Sequence, residues 1–150
     1  MNISRYKKVL SKYATGITVI TKKNKNNLIT GITVNSFVSI SLKPPYISWS
    51  LDKTASSFKK FKNLKLFNIY ILSAKQIKVS NYFSSKNEIT KNSTLANNLL
   101  KNNLAELNCK TIKKIIIGDH LFFVAKVLKV NLKKEKRPLI YFESKYKKLG

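Results

Sequence analysis

The strongest constraint on this chain is a succession of strand-length segments, rich in β-branched and aromatic residues, set between short helical or polar stretches. Ile17-Thr18-Val19-Ile20-Thr21 is β-branched throughout, and Leu28 to Ser41 alternates over much of its length. Tyr46 to Leu51, Leu66 to Leu72, Leu104 to Ile117, Leu121 to Leu132 and Leu139 to Phe142 follow. Residues of this kind fit a pleated, half-buried surface. Pro44-Pro45 interrupts pairing and restarts the chain as a new strand. Gly118-Asp119 stands where the two longest segments turn back on each other. Only four glycines occur in 150 residues, and none makes a Gly-rich turn between a strand and a helix. A Rossmann nucleotide site and other Gly-rich phosphate loops are therefore excluded. The pattern predicts a mainly β protein, a closed antiparallel barrel decorated by two or three short helices.

Three stretches read as those helices. Tyr6 to Tyr13 places Tyr6, Val9, Leu10 and Tyr13 on one face before Gly16 breaks the pattern. Thr54 to Phe61 begins with hydroxyl residues suited to capping, and Ala74 to Phe83 offers Ile77, Val79 or Ser80, and Phe83 to the interior. Ser84 to Asn103, rich in Asn, Ser and Lys, predicts a loop with one helical turn around Leu95 to Leu100. There is no repeat and no sign of a second domain, so residues 1–150 are expected to form one domain. A hydrophobic fraction of 43% supports a folded core. No apolar run approaches the roughly 18 to 20 residues of a membrane span. The basic start, Met1 to Lys8, is not followed by an apolar core and a cleavage site, so a cytoplasmic protein is expected. The single Cys109 reads as a small buried hydrophobe.

A net charge of +24 first suggests nucleic acid, and a basic nucleic-acid-binding barrel is one reading of the chain. The charge is nearly all Lys, with Arg5 and Arg137 the only arginines, whereas bidentate recognition of phosphate and guanine favours Arg. The lysines are scattered in short groups, such as Lys22-Lys23, Lys59-Lys60 and Lys113-Lys114, and do not gather on one helix. Abundant Lys, Asn and Ile together match AT-rich codon usage, which makes the charge background that incidentally attracts anionic cofactors.

Two segments carry the candidate chemistry. In the first, period two puts Ile32 and Val34 on one face of a strand and Thr33 and Asn35 on the other, with Ser36, Val38 and Ser39 beyond. On periodicity alone this is an ordinary strand with a polar outer face. Its amide and hydroxyl groups also suit a planar ring with alternating donors and acceptors along one edge. In the second, Ser50, Asp52, Lys53, Thr54, Ser56 and Ser57 lead into Phe58. Hydroxyls and an ammonium at a helix start make a phosphate cradle, or, more simply, a helix cap from Thr54 or Ser56. His120, the only histidine, follows Asp119, which can fix its tautomer.

Ala14-Thr15-Gly16-Ile17-Thr18-Val19-Ile20-Thr21, then Gly31-x-Thr33-x-Asn35-Ser36-Phe37-x-Ser39-x-Ser41-Leu42-x-Pro44-Pro45, resembles the flavin reductase-like FMN-binding split barrels. These include the reductase components of two-component flavin monooxygenases. Phe67 to Leu72 with Gln76, Phe83, Ala105-Glu106-Leu107-x-Cys109, Gly118-Asp119-His120 and Pro138 to Phe142 ahead of Tyr146 continue the likeness along nearly the whole chain. Lys43 departs from it, standing where an acidic residue usually precedes Pro-Pro.

The resemblance implies a split β-barrel homodimer with a flavin, FMN or FAD, near the subunit interface and NADH or NADPH as co-substrate. It implies that Thr33, Asn35, Ser36, Val38 and Ser39 line the ring and ribityl chain, and that Ser50, Lys53, Ser56 and Ser57 take the phosphate. Phe83 would close one side, with His120 and Tyr146 near the nicotinamide. The expected activity is reduction of flavin that diffuses to a partner monooxygenase. A flavoprotein that keeps its FMN and serves another electron acceptor is the alternative. Such a reaction needs no metal and no protein nucleophile, since the cofactors carry the hydride and the protein positions the rings.

Overall fold

A computed structural model describes residues 1–85, 90–134 and 137–150. Its β-strands are β1 (Thr15–Gly16), β2 (Thr18–Lys23), β3 (Leu28–Val34), β4 (Val38–Leu42), β5 (Pro45–Asp52), β6 (Leu66–Ile71), β7 (Thr90–Asn92), β8 (Ala105–Ile117), β9 (His120–Leu132), β10 (Leu139–Phe142) and β11 (Lys145–Lys148). The helices are α1 (Ile3–Leu10), α2 (Phe58–Phe61), α3 (Ile77–Ser84) and α4 (Ser93–Leu100). Eight strands form one antiparallel sheet in the order β4-β5-β9-β8-β6-β2-β3-β7, and β1-β10-β11 form a second.

The long segment Leu28 to Ser41, expected as one strand, is two. β3 pairs with β2 and β7 at one side of the large sheet, whereas β4 pairs with β5 at the other edge. Residues 35–37 carry the chain from one edge to the other, so the sheet must curl into a barrel to let the two edges meet. The meeting is pinned by Ser36, whose Oγ accepts from the Ser50 N–H at 2.9 Å and donates to the Ser50 carbonyl at 3.1 Å. No strand fills the remaining gap among the described residues. β7 covers β3 only at Leu28 to Thr30, and β4 covers β5 only as far as Ser48. The edges at 31–34 and 49–52 thus face each other unpaired, and the alternation of directions around the sheet makes them antiparallel.

The barrel interior follows from the two-residue period. Ile47, Trp49 and Leu51 of β5, Ile20, Ile32, Phe67, Ile69, Leu121 and Phe123 point inward, and Phe61 and Leu64 pack against them. Trp49 lies opposite Phe123 across β5 and β9, and their rings stack with centroids 4.2 Å apart and planes 4° apart. A second cluster outside the barrel, Ile17, Val19, Tyr70, Leu72, Phe83, Leu100 and Leu139, seats α3, α4 and the small sheet. Cys109 is buried in the first cluster.

Four further differences from the sequence reading have physical causes. α1 starts three residues before Tyr6 because the Asn2 side chain accepts from the Arg5 N–H and caps it. Its expected apolar face, Tyr6, Val9, Leu10 and the following Tyr13, is exposed. α2 is four residues long, not eight, because the Asp52 carboxylate takes the Thr54 N–H and hydroxyl into a turn that delays the helix. Part of the expected Ser84 to Asn103 loop is ordered: Asn92 caps α4 by accepting from the Leu95 N–H, and residues 86–89 lie outside the described ones. β1 and β11 were not foreseen. The turn before β11 uses Glu143 and Ser144 with φ of 51° and 60°, without the Gly or Asn that announces such turns.

Candidate functional site

The gap between the free edges of β3 and β5 opens into a cleft of about 660 Å³, a size suited to a small ligand or cofactor. Five elements build it, β3, β5, α2, α3 and β9. β3 supplies Thr30 to Val34 and the link adds Asn35 and Ser36. β5 and the turn after it supply Ser50 to Asp52 and Thr54 to Ser57, with Lys60 from α2. Phe83, Ser84 and Ser85 at the end of α3, and His120 at the start of β9, complete the wall.

Each part is held by identifiable bonds. α3 is tied to β3 by the Thr33 hydroxyl, which donates to the Ser80 carbonyl at 2.7 Å. Phe83, only 2% exposed, lies over Gly31, where a Cβ would fall 2.6 Å from two of its ring carbons. Glycine is therefore required at this point by close approach, not by its φ. The turn after β5 is organised by Asp52, whose carboxylate accepts from the Thr54 N–H at 2.7 Å and its hydroxyl at 2.8 Å. These two bonds, backbone first, hold the Asp52 carboxyl below the usual carboxylate range. The Lys53 N–H donates to the Asp119 carbonyl at 2.9 Å, which locks the same turn to the β8–β9 hairpin. That hairpin turns through Gly118 at φ 58°, where glycine is favoured. Asp119 then holds His120 through Nδ1 at 2.7 Å, and this contact lowers the Asp119 pKa. With Nδ1 committed, Nε2 is the ring nitrogen left to meet a ligand.

The cleft brings together most of the residues singled out from the sequence. Thr33, Asn35, Ser36, Ser50, Ser56, Ser57, Phe83 and His120 line it. Thr33 and Ser36 are partly engaged, since their hydroxyls already bond to Ser80 and Ser50. Val38, Ser39, Lys53 and Tyr146 do not line it. Val38 and Ser39 belong to β4, which runs away from the cleft beyond the Ser36 pin and leaves both exposed. Lys53 contributes its backbone to the hairpin lock and its side chain to solvent. The Tyr146 hydroxyl is 2.8 Å from Ser80 Oγ, beside α3 in the second core cluster.

Lys60 was missed. Its signal was its place three residues after Ser57, one turn along α2, which aims it back at the serines. Asp52 and Thr54 also line the cleft, and the reading of that segment as a helix cap hid their mutual bond.

Chemically, the walls fall into two kinds. Ile32, Val34, Leu51, Ala55 and Phe83 provide an apolar bed, while Asn35, Ser56, Ser57 and Lys60 provide donors. Among the described residues, the Ser56 and Ser57 hydroxyls have no hydrogen-bond partner. Because β3 and β5 run antiparallel, Lys60 sits towards the Thr30 end of the cleft and Ser36 with Ser50 at the other. A long molecule with a planar polar end and an anionic end matches this layout.

Comparison with known proteins points the same way. The sequence profile of the family described as "Flavin reductase like domain" matches residues 10–150. The FMN reductase (NADH) SmoA of Agrobacterium fabrum is 32% identical over 133 residues, covering 85% of this chain and 76% of that protein. The reductase component of 4-hydroxyphenylacetate 3-monooxygenase from Thermus thermophilus is 28% identical, covering 96% of this chain and 95% of its own. Among solved structures, the flavin reductase PheA2 superposes with a TM-score of 0.84 at 27% identity, over 100% of this chain and 99% of that one.

Proposed function

The chain belongs to the family of flavin reductase-like domains, and from that premise we propose that it transfers hydride from NADH or NADPH to FMN or FAD. The observation that carries the reading is the split itself: an apolar bed and a polar donor set, side by side, between two unpaired strand edges. A flavin bound there supplies the hydride-accepting ring, and the protein's own work is to bind, orient and polarise.

On this reading Asn35, Ser36 and Ser50 meet the polar edge of the ring, with Thr33 and Phe83 shaping the wall behind it. Ser56, Ser57 and Lys60 hold the phosphate. His120 stands at the open side, where the nicotinamide must stack, and Asp119 fixes the imidazole so that Nε2 can donate or accept a hydrogen bond. Backbone N–H groups of the unpaired edges offer fixed dipoles to negative charge arriving on the ring. Val38, Ser39, Lys53 and Tyr146 have no such place in the cleft, so we assign them no contact within one protomer.

The relatives include reductase components of two-component monooxygenases, and the reading takes a monooxygenase as the consumer of the reduced flavin. It also takes the protein as a cytoplasmic homodimer, one domain per chain. The outer face of β4, β5, β9 and β8 leaves Val38 at 57%, Ile40 at 51% and Ile117 at 57% exposed, an apolar surface without a partner in one copy. It runs into the cleft wall, because Ile117 pairs with His120, and Ser50 with Phe122. A second copy on this face would bring Val38 and Ser39 back towards a flavin.

The test is a steady-state assay crossing NADH and NADPH with FMN and FAD. Nicotinamide oxidation that continues for many turnovers and scales with added free flavin supports a reductase. One stoichiometric turnover per chain would instead identify a protein that retains its flavin. A chain that takes up no flavin would refute both.

A further inference from the structure

Ser80 is an unexpected residue in the helix that walls the cleft. It lies three residues before Phe83, on the face of α3 that turns inward, and is 0% exposed. That face packs on the apolar cluster of Ile17, Val19, Tyr70, Leu72 and Leu139. Alanine would fill such a position with better helix propensity and no hydroxyl to satisfy. The serine therefore needs a reason, and its hydrogen bonds supply one.

Both of its oxygens are engaged, and they reach different elements. The Ser80 carbonyl accepts from the Thr33 hydroxyl at 2.7 Å, which joins α3 to β3. The Ser80 hydroxyl shares a hydrogen bond of 2.8 Å with the Tyr146 hydroxyl, which joins α3 to β11. Tyr146 is in turn placed by its pairing with Tyr141 of β10, whose ring centroid lies 5.7 Å from its own. At the start of the helix the Ser80 N–H donates to the Gln76 carbonyl at 2.9 Å. The buried Gln76 side chain accepts from the Ser73 N–H at 3.0 Å and donates to the Leu99 carbonyl of α4 at 3.2 Å. The start of α3 is thus fastened to the core and its middle to two strands. The following turn carries Phe83 and Ser84 into the cleft wall.

We propose that Ser80 is a positioning residue for the flavin site: by bonding β11 through Tyr146 and β3 through Thr33, it sets where the Phe83 ring stands and so tunes flavin affinity. The inference rests on the flavin-reductase reading and adds Ser80 and Tyr146, which lie outside the cleft lining. Without the Ser80–Tyr146 bond, the last turn of α3 gains positions in which Phe83 is no longer seated over Gly31. Flavin must then select the seated form, and its apparent Kd rises as the seated fraction falls. One hydrogen bond, net of its exchange with water, shifts such an equilibrium by about two- to tenfold. Bound flavin holds the ring in place, so turnover at saturating flavin keeps its rate.

The experiment compares Ser80→Ala, Tyr146→Phe and the double variant with the parent. Flavin titrations give Kd, and steady-state kinetics with flavin varied at saturating nicotinamide give KM and kcat. Each single variant is expected to raise the flavin Kd and KM by about two- to tenfold, with kcat and the nicotinamide KM unchanged. The double variant should be no worse than the weaker single one, because both substitutions remove the same bond. An unchanged flavin Kd in both single variants would overturn the role. Penalties that multiply in the double variant would show two independent contacts and also overturn it. A lower kcat at unchanged flavin KM would show loss of folded protein, the mark of a merely structural serine. Should Ser80→Ala fail to fold, Tyr146→Phe removes the same bond at a half-buried site and gives the same comparison. A parent that binds neither FMN nor FAD would refute the reductase reading and this inference with it. A parent that turns over, matched by both variants, would refute only the role of Ser80.

Discussion

Replacing Gly31 with alanine tests whether the cleft wall is built as described. The added Cβ would lie 2.6 Å from Cδ1 and Cε1 of Phe83 and 3.4 Å from Cγ2 of Thr21. The Thr21 contact is ordinary, but the ring must retreat by the better part of an ångström. It has little room: Phe83 is 2% exposed and meets Tyr82 edge-on at 5.2 Å. Its helix is fastened by the Thr33–Ser80 bond of 2.7 Å and the Ser80–Tyr146 bond of 2.8 Å. Overpacking of this kind costs about 1–3 kcal/mol. Restricting the unfolded chain by losing a glycine returns about 0.4–1 kcal/mol. The expected net loss is about 1–2 kcal/mol, read as a lower urea midpoint at unchanged slope. The ring's open direction is the cleft, so flavin affinity should fall in a fluorescence titration of the same variant. Shrinking the ring should relieve the clash: Gly31→Ala/Phe83→Leu should be more stable than the two single losses add up to, with a coupling of about 1 kcal/mol. A Gly31→Ala protein as stable as its parent, or a coupling of zero, would refute the packing argument.

Three further outcomes follow from other residues. His120→Ala should raise the apparent KM for the nicotinamide more than that for flavin; the opposite pattern in steady-state kinetics would move His120 to the flavin side. Burial pushes the Cys109 thiol up to about 12, so Ellman's reagent should find no thiol at neutral pH in the native protein and one after urea unfolding. Because that folded pKa is raised, its contribution to stability holds at neutral pH and is lost as pH climbs above the unfolded value of about 8.5. Asp52 shifts the other way: its contribution is present above about pH 4 and lost as pH falls through the lowered folded value. Flavin affinity followed into acid should drop as the Asp52 turn loosens, and Asp52→Asn should weaken binding already at neutral pH and flatten that drop.

The fold was legible where the two-residue period is long, and the site where polar residues cluster. β8 and β9 read clearly because thirteen residues each alternate or run apolar, and Gly118 marks their turn. Ile32 and Val34 went to the core, and Thr33 to the α3 side, as period two requires. The break in Leu28 to Ser41 was less legible, since Ser36 and Phe37 are acceptable strand residues. What ends β3 is a long-range bond from Ser36 to Ser50, which no local pattern encodes. The same holds for Asp52 and Thr54, whose bond replaced the expected cap. Lys60 escaped because a lysine among so many carries little information until its neighbours in space are known.

The unpaired stretches of β3 and β5 have a consequence for the life of the chain before it meets its cofactor. Exposed strand edges are templates on which other chains can add themselves, and proteins normally cap or charge them. Here residues 31–34 cannot be capped by β4 without closing the cleft. An occupant of the cleft therefore doubles as a cover for an adhesive edge. Flavin supply during synthesis should then govern the yield of dispersed protein, with mutual repulsion among chains of such high charge as the remaining safeguard.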